Sequence, residues 1–178
     1  MSSPPAQSRL PASRRARRRL CGGFSLLELS VTCFIISVVA SLAVPAYIQV
    51  QLSARSAAVI NDIRVFASAF QNYAHDKADW PPADETPGRI PDGMAGYLST
   101  TNWERPTPIG GYYTWVRDSV QAGQRYQAVL VITTVGENRV TADRKQLVEI
   151  DRKIDDGDLD TGNFRLGFRN QPVFVIEH

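Results

Sequence analysis

A chain of 178 residues is long enough for one compact domain plus an appendage, but short for two domains with separate cores. At 43% apolar and 21% charged residues it has the composition of a folding chain, which excludes wholesale disorder. The net charge of +2 is an uneven average: Arg9, Arg14, Arg15, Arg17, Arg18 and Arg19 fall in the first 23 positions beside no acid, leaving 14 basic against 18 acidic residues, a net −4, in the remainder.

Residues 1–23 are polar, arginine-rich and interrupted by proline and serine, which suits an unfolded cytoplasmic segment rather than a structural element. The 21 residues from Phe24 to Val44 carry one charge, Glu28. At about 1.5 Å per residue a helix of that length just crosses a hydrocarbon core of roughly 30 Å. Arginines ahead of the span and none within it place the N-terminus in the cytoplasm and everything after Pro45 outside. Beyond the span, Val59, Ile63, Phe66 and Phe70 recur at helical spacing, with Arg55, Asp62, Arg64 and Gln71 on other faces. One helix over about 24–76 follows, with Pro45 removing a backbone hydrogen bond and bending or ending it there.

From Trp80 to Pro108 the chain is dense in proline and glycine, an irregular connector with a short helix expected at Asp92 to Leu98. Tyr112 to Val116 and Tyr126 to Thr134 are rich in aromatic and β-branched residues and predict strands, joined by a turn through Ser119, Gln121, Gly123 and Gln124. Thr141 is placed to cap a helix running to about Asp155, with Leu147, Ile150 and Ile154 on one face. A last hairpin pairs Phe164 to Phe168 with Val173 to Ile176. The two cysteines, Cys21 and Cys33, lie beside or inside the apolar run, so no disulfide framework is expected.

The stretch Gly23-Phe24-Ser25-Leu26-Leu27-Glu28, preceded by arginines and followed by the apolar run, resembles the N-terminus of the type IV pilin and type II secretion pseudopilin family. An ordinary secretory signal carries its apolar region ahead of the cut. Here the apolar region follows the Gly23-Phe24 junction, so a cut there removes the leader and leaves the anchor. The resemblance implies a membrane prepilin peptidase that cleaves after Gly23 and methylates the amine of Phe24. Glycine lets the backbone enter a narrow protease cleft.

Glu28 is the sharpest physical feature of the motif. A carboxylate within a bilayer costs about 2.5 to 3.5 kcal/mol on the lenient insertion scale. The resemblance implies that the free amine of Phe24 on a neighbouring subunit compensates it and so sets register in a filament. A glutamate that snorkels to the interface is the plainer reading of the same residue. Pro45 also matches the family, and a proline that simply closes the span is again the plainer reading.

Asp155, Asp156, Asp158 and Asp160 crowd one turn with Gly157 and Gly162. Their plain reading is a solvated acidic turn. The other is a calcium loop using Asp156, Asp158 and Asp160, although the spacing is not that of an EF-hand. Major secretion pseudopilins, which the chain resembles in plan, often carry a calcium loop near the C-terminus. The arginine cluster lacks interleaved aromatics, so no nucleic-acid partner is expected. His75 and His178 are the only histidines, and no nucleophile elbow, metal-spaced His/Cys group or phosphate loop occurs, so the chain is not expected to be an enzyme. Trp80, Trp103, Trp115, Tyr112 and Tyr113 read as core rather than as a ligand pocket.

The expected architecture is α+β and pilin-like: a long N-terminal helix packed on a small antiparallel sheet. It divides into a leader (1–23), a transmembrane assembly helix (24–44), a periplasmic continuation (45–76) and a globular head (77–178). The expected function is structural, as a subunit of a type IV pilus-like filament or a type II secretion pseudopilus. Its partners would be copies of itself, other pilin-like subunits, the prepilin peptidase/methyltransferase, an inner-membrane assembly platform and lipid. The lack of a C-terminal cysteine pair favours the secretion type or a minor subunit. The competing expectation is a monomeric membrane-anchored periplasmic binding or sensor domain that uses the helix as a tether.

Overall fold

The computed structural model describes residues 24–98, 100–121 and 123–178. The fold is α+β: helix α1 (Leu26–Lys77), a one-turn helix α2 (Thr100–Trp103), strands β1 (Tyr112–Gln121) and β2 (Gln124–Thr133), helix α3 (Arg144–Ile154), strand β3 (Phe164–Leu166), a 3₁₀ turn (Phe168–Asn170) and strand β4 (Pro172–Glu177). Two compact units divide the chain, one ending at Ala43 and the other running from Val44 to His178.

Helix α1 begins where Ser25 supplies a cap: its Oγ accepts from the Leu27 N–H at 3.3 Å and its carbonyl accepts from the Leu29 N–H at 3.0 Å. The helix then runs through Pro45 without ending. The sequence allowed a bend or a break, and the break does not occur. A proline deletes one backbone N–H, a loss that intact neighbouring turns can absorb.

Within the second unit, α1 buries one stripe built on Ser56, Val59, Ile63, Phe66 and Phe70, at intervals of three and four residues, with Ile60, Ala67 and Ala69 buried beside them. That stripe lies on one face of a four-stranded antiparallel sheet of order β1-β2-β4-β3. Phe66 meets Trp103 and Tyr113 edge to face, with centroids 5.0 and 4.9 Å away, while Phe70 stacks on Trp115 at 4.0 Å. Both buried indoles find carbonyl partners, Trp103 donating to Arg89 at 2.6 Å and Trp115 to Pro81 at 3.1 Å. The aromatic residues thus fill the core, and their polar edges are satisfied. Along β2 the pleat alternates: Ala128, Leu130 and Ile132 join the α1 core, whereas Val129 and Val131 join a second apolar cluster with Tyr126, Val173 and Val175.

Three local expectations shift. The strands of the first hairpin extend to Gln121 and Gln124, which pair directly, so Ser119 is a strand residue opposite Tyr126 rather than part of the turn. The short helix sits at Thr100–Trp103, not at 92–98, where the backbone makes successive turns instead. Gly93 takes a left-handed φ of +85°, and a Cβ there would meet the Tyr73 hydroxyl at 3.0 Å, so this glycine closes a turn against α1. Finally, α3 is capped by Asp143, whose Oδ1 accepts from the Gln146 N–H at 2.8 Å. Thr141 instead ties the segment back to the Ile109 carbonyl through both its N–H (2.7 Å) and its hydroxyl (3.0 Å). A carboxylate at a helix N-terminus gains from the macrodipole as well as the hydrogen bond, which favours Asp143 for the cap.

Candidate functional site

The motif residues lie at the start of α1. Gly23 is outside the described residues; Phe24 is the first of them and is exposed. Every residue from Phe24 to Leu52 is exposed, including Leu26, Leu27, Phe34, Ile36, Val39 and Leu42. An apolar surface on all sides of a helix has no partner within its own chain and calls for lipid or other protein. The helix is long and apolar enough to cross a membrane.

Glu28 occupies the first turn of α1, where a negative charge is favoured by the helix dipole. Its side chain is exposed, and among the described residues no salt bridge engages it. The other polar side chains of the span behave differently. Ser30, Ser37 and Ser41 donate to the carbonyls of Leu27 (2.8 Å), Cys33 (2.8 Å) and Val38 (2.7 Å), and Thr32 donates to Leu29 (2.8 Å) and Glu28 (3.0 Å). Hydroxyls turned back onto their own helix need no partner from an apolar surrounding. Glu28 is thus the one group in Phe24 to Val44 whose charge demands an external answer.

The sequence features converge here on a recognised signature. Residues 18–44 match the prokaryotic N-terminal methylation motif. This is the hallmark N-terminus of type IV pilins and pseudopilins. The methylation motif ends at Val44, one residue before Pro45 and at the junction of the two compact units. It takes in the Gly23-Phe24 junction, Glu28 and the whole apolar span, and the chain is pilin-like in that segment. No curated protein matches the chain.

The acidic turn between α3 and β3 is the second place where charged groups gather. Asp156 accepts from the Asp158 N–H at 2.8 Å and the Thr161 hydroxyl at 2.7 Å, and these bonds hold its carboxyl below the usual range. Asp158 accepts from the Asp160 N–H at 3.1 Å, and Asp160 faces the Arg144 guanidinium at 3.7 Å. Carboxylate oxygens that approach one another within 4.8 Å come from Asp151, Asp155 and Asp156. Asp156 therefore shares a cluster with two carboxylates that the spacing of the turn did not single out.

Asp151 is fully buried near the C-terminal end of α3, and neither of its oxygens has a hydrogen-bond partner. Burial first, and then the charges of Asp156 and Asp155, push its carboxyl up to about 6. A signal for it was present in the sequence. Leu147, Ile150, Asp151 and Ile154 follow the i, i+3, i+4, i+7 pattern, so Asp151 is a charge on the apolar face of its helix.

Proposed function

We propose that the chain is a structural subunit of a type IV pilus-like filament or type II secretion pseudopilus, cut after Gly23 by a prepilin peptidase, methylated on Phe24, and assembled through its N-terminal helix. The observation that carries this reading is the coincidence of the methylation motif with an apolar segment exposed on every side and bearing one charge, Glu28. Before assembly the segment sits in the inner membrane, with its N-terminus cytoplasmic and the globular unit periplasmic. In the filament, neighbouring copies replace the lipid around Phe24 to Val44. The amine of Phe24, released by the cut, meets Glu28 of an adjoining copy, and pairing in a dry bundle makes that contact decisive for register.

The reading is tested in cells that carry an assembly system. Mass spectrometry of the extracted protein should give a chain that begins at Phe24 and carries one extra methyl. A bulky replacement of Gly23 should leave the leader attached. Glu28→Leu should be processed and inserted normally yet enter no filaments, a loss of at least about tenfold in sheared or cross-linked polymer. Full polymer yield from Glu28→Leu, or an intact leader on the natural chain, would return the protein to the class of tethered monomers.

A further inference from the structure

We propose that the notch between residues 49–53 of α1 and the first turns of α3 seats the headgroup of an outer-leaflet phospholipid whose phosphate carries a primary ammonium, as in phosphatidylethanolamine. The inference rests on the proposed insertion of Phe24 to Val44 in the inner membrane. Exposed apolar side chains do not stop at Val44: Tyr47, Ile48, Val50 and Leu52 continue the surface, and no charged residue occurs between Val44 and Arg55. An aromatic such as Tyr47 just beyond a span settles at headgroup level. At about 1.5 Å per residue Gln49 stands roughly 7.5 Å and Leu52 roughly 12 Å from Val44, against a headgroup layer of about 5 to 7 Å. A lysine stem beside Leu52 bridges the remainder.

Gln146 fixes the height of the notch. Its amide donates to the Leu52 carbonyl at 3.4 Å and to the Ser56 hydroxyl at 3.3 Å, so the first turn of α3 is held at the level of Leu52 on α1. The space between the two helices measures about 380 Å³, with Gln49, Leu52 and Ser53 on one wall and Asp143, Lys145 and Glu149 on the other. Ile48 lies one turn below Leu52 on the same side of α1, toward the span. Acyl chains that descend from the notch therefore run along exposed apolar side chains.

The charges select the headgroup. Among the described residues Lys145 has no salt-bridge partner, so its ammonium is available to a phosphate. Asp143 Oδ1 accepts from the Gln146 N–H at 2.8 Å and Glu149 Oε1 from Lys153 Nζ at 2.8 Å, and each carboxylate keeps its second oxygen for a donor. One cation set against two carboxylates repels a headgroup of net negative charge, such as phosphatidylglycerol, and suits one that carries both signs. A primary ammonium donates three hydrogen bonds to such oxygens, whereas the quaternary nitrogen of choline donates none. That difference favours ethanolamine over choline lipids.

The test uses the full chain in detergent and in vesicles. Native mass spectrometry of the solubilised chain, titrated in turn with phosphatidylethanolamine, phosphatidylglycerol and phosphatidylcholine, should show one molecule of the first held at least about tenfold more tightly than either of the others. Lys145→Gln should weaken retention of the ethanolamine lipid about tenfold. Glu149→Gln should narrow its advantage over phosphatidylglycerol, and Arg152→Gln, on the same helix but outside the notch, should change neither. Flotation with phosphatidylcholine vesicles reports insertion separately. A chain that floats but holds the three lipids equally, prefers the anionic one, or keeps its full preference in Lys145→Gln would overturn the headgroup site and leave the membrane reading standing. A chain that floats with no vesicle would overturn both.

Discussion

The first and second halves of α1 share a backbone conformation and differ in what surrounds them. From Phe24 to Leu52 every side chain is exposed, apolar ones included; from Ser56 to Phe70 one stripe is buried while Asn61 and Arg64 stay exposed on other faces. The distribution of apolar residues around the axis, not their number, decides which half completes itself within the chain. A one-sided stripe is satisfied by the sheet of the same molecule, whereas an apolar surface all round is left for lipid or for other protein.

The contrast is broken most forcefully in the buried stripe. Phe70→Ala removes a ring with no exposure that stacks on Trp115, and should cost roughly 3 to 5 kcal/mol in chemical denaturation of the full chain in detergent. Val39→Ala, on the exposed half, should move the same transition by less than about 0.5 kcal/mol. Equal losses from the two substitutions would erase the distinction between the halves.

A smaller effect is expected at the point where the two regimes meet. Gln146 of α3 donates to the Leu52 carbonyl at 3.4 Å and to the Ser56 hydroxyl at 3.3 Å, the latter inside the core. Gln146→Ala should cost about 1 kcal/mol, because Ser56 still donates to Leu52 O at 3.0 Å and is not orphaned. Hydrogen exchange should quicken at Ser56 to Ile60 and stay unchanged at Phe66 to Phe70.

The finest test lies at the margin of the stripe. Asp62 is half-buried and accepts from the Tyr113 hydroxyl at 3.2 Å; desolvation outweighs that bond and raises its carboxyl above the ordinary range. A group whose folded pKa is raised contributes stability that is complete below its unfolded pKa and is lost as pH rises through the folded one. Asp62→Asn, which keeps an oxygen acceptor, should therefore raise the denaturation midpoint slightly at neutral pH, and the gain should vanish in acid below the carboxylate range. A gain that grew in acid would contradict the sign.

The parts legible in the sequence are those set by local pattern. The length of the apolar run gives the exposed half of α1, the spacing of Val59, Ile63, Phe66 and Phe70 gives the buried half, and the β-branched and aromatic runs give β1 and β2. What escaped depends on contacts between distant positions. Thr141 and Asp143 are both capping residue types, and the hydrogen bonds that tie Thr141 to the Ile109 carbonyl leave the cap to Asp143. Gly93 ends turns rather than joining a helix because Tyr73 of α1 packs beside it. The carboxylates of the acidic turn are adjacent in sequence, yet the one that defines the cluster, Asp151, is brought in by the packing of α3 on the core.

The back-folded hydroxyls of Ser30, Thr32, Ser37 and Ser41 have a mechanical corollary. With their protons committed to their own backbone, they offer a sliding neighbour no polar latch, and dispersion forces change only gently as one smooth rod moves along another. Any neighbour that packs along this segment therefore meets a surface whose one charged group is Glu28.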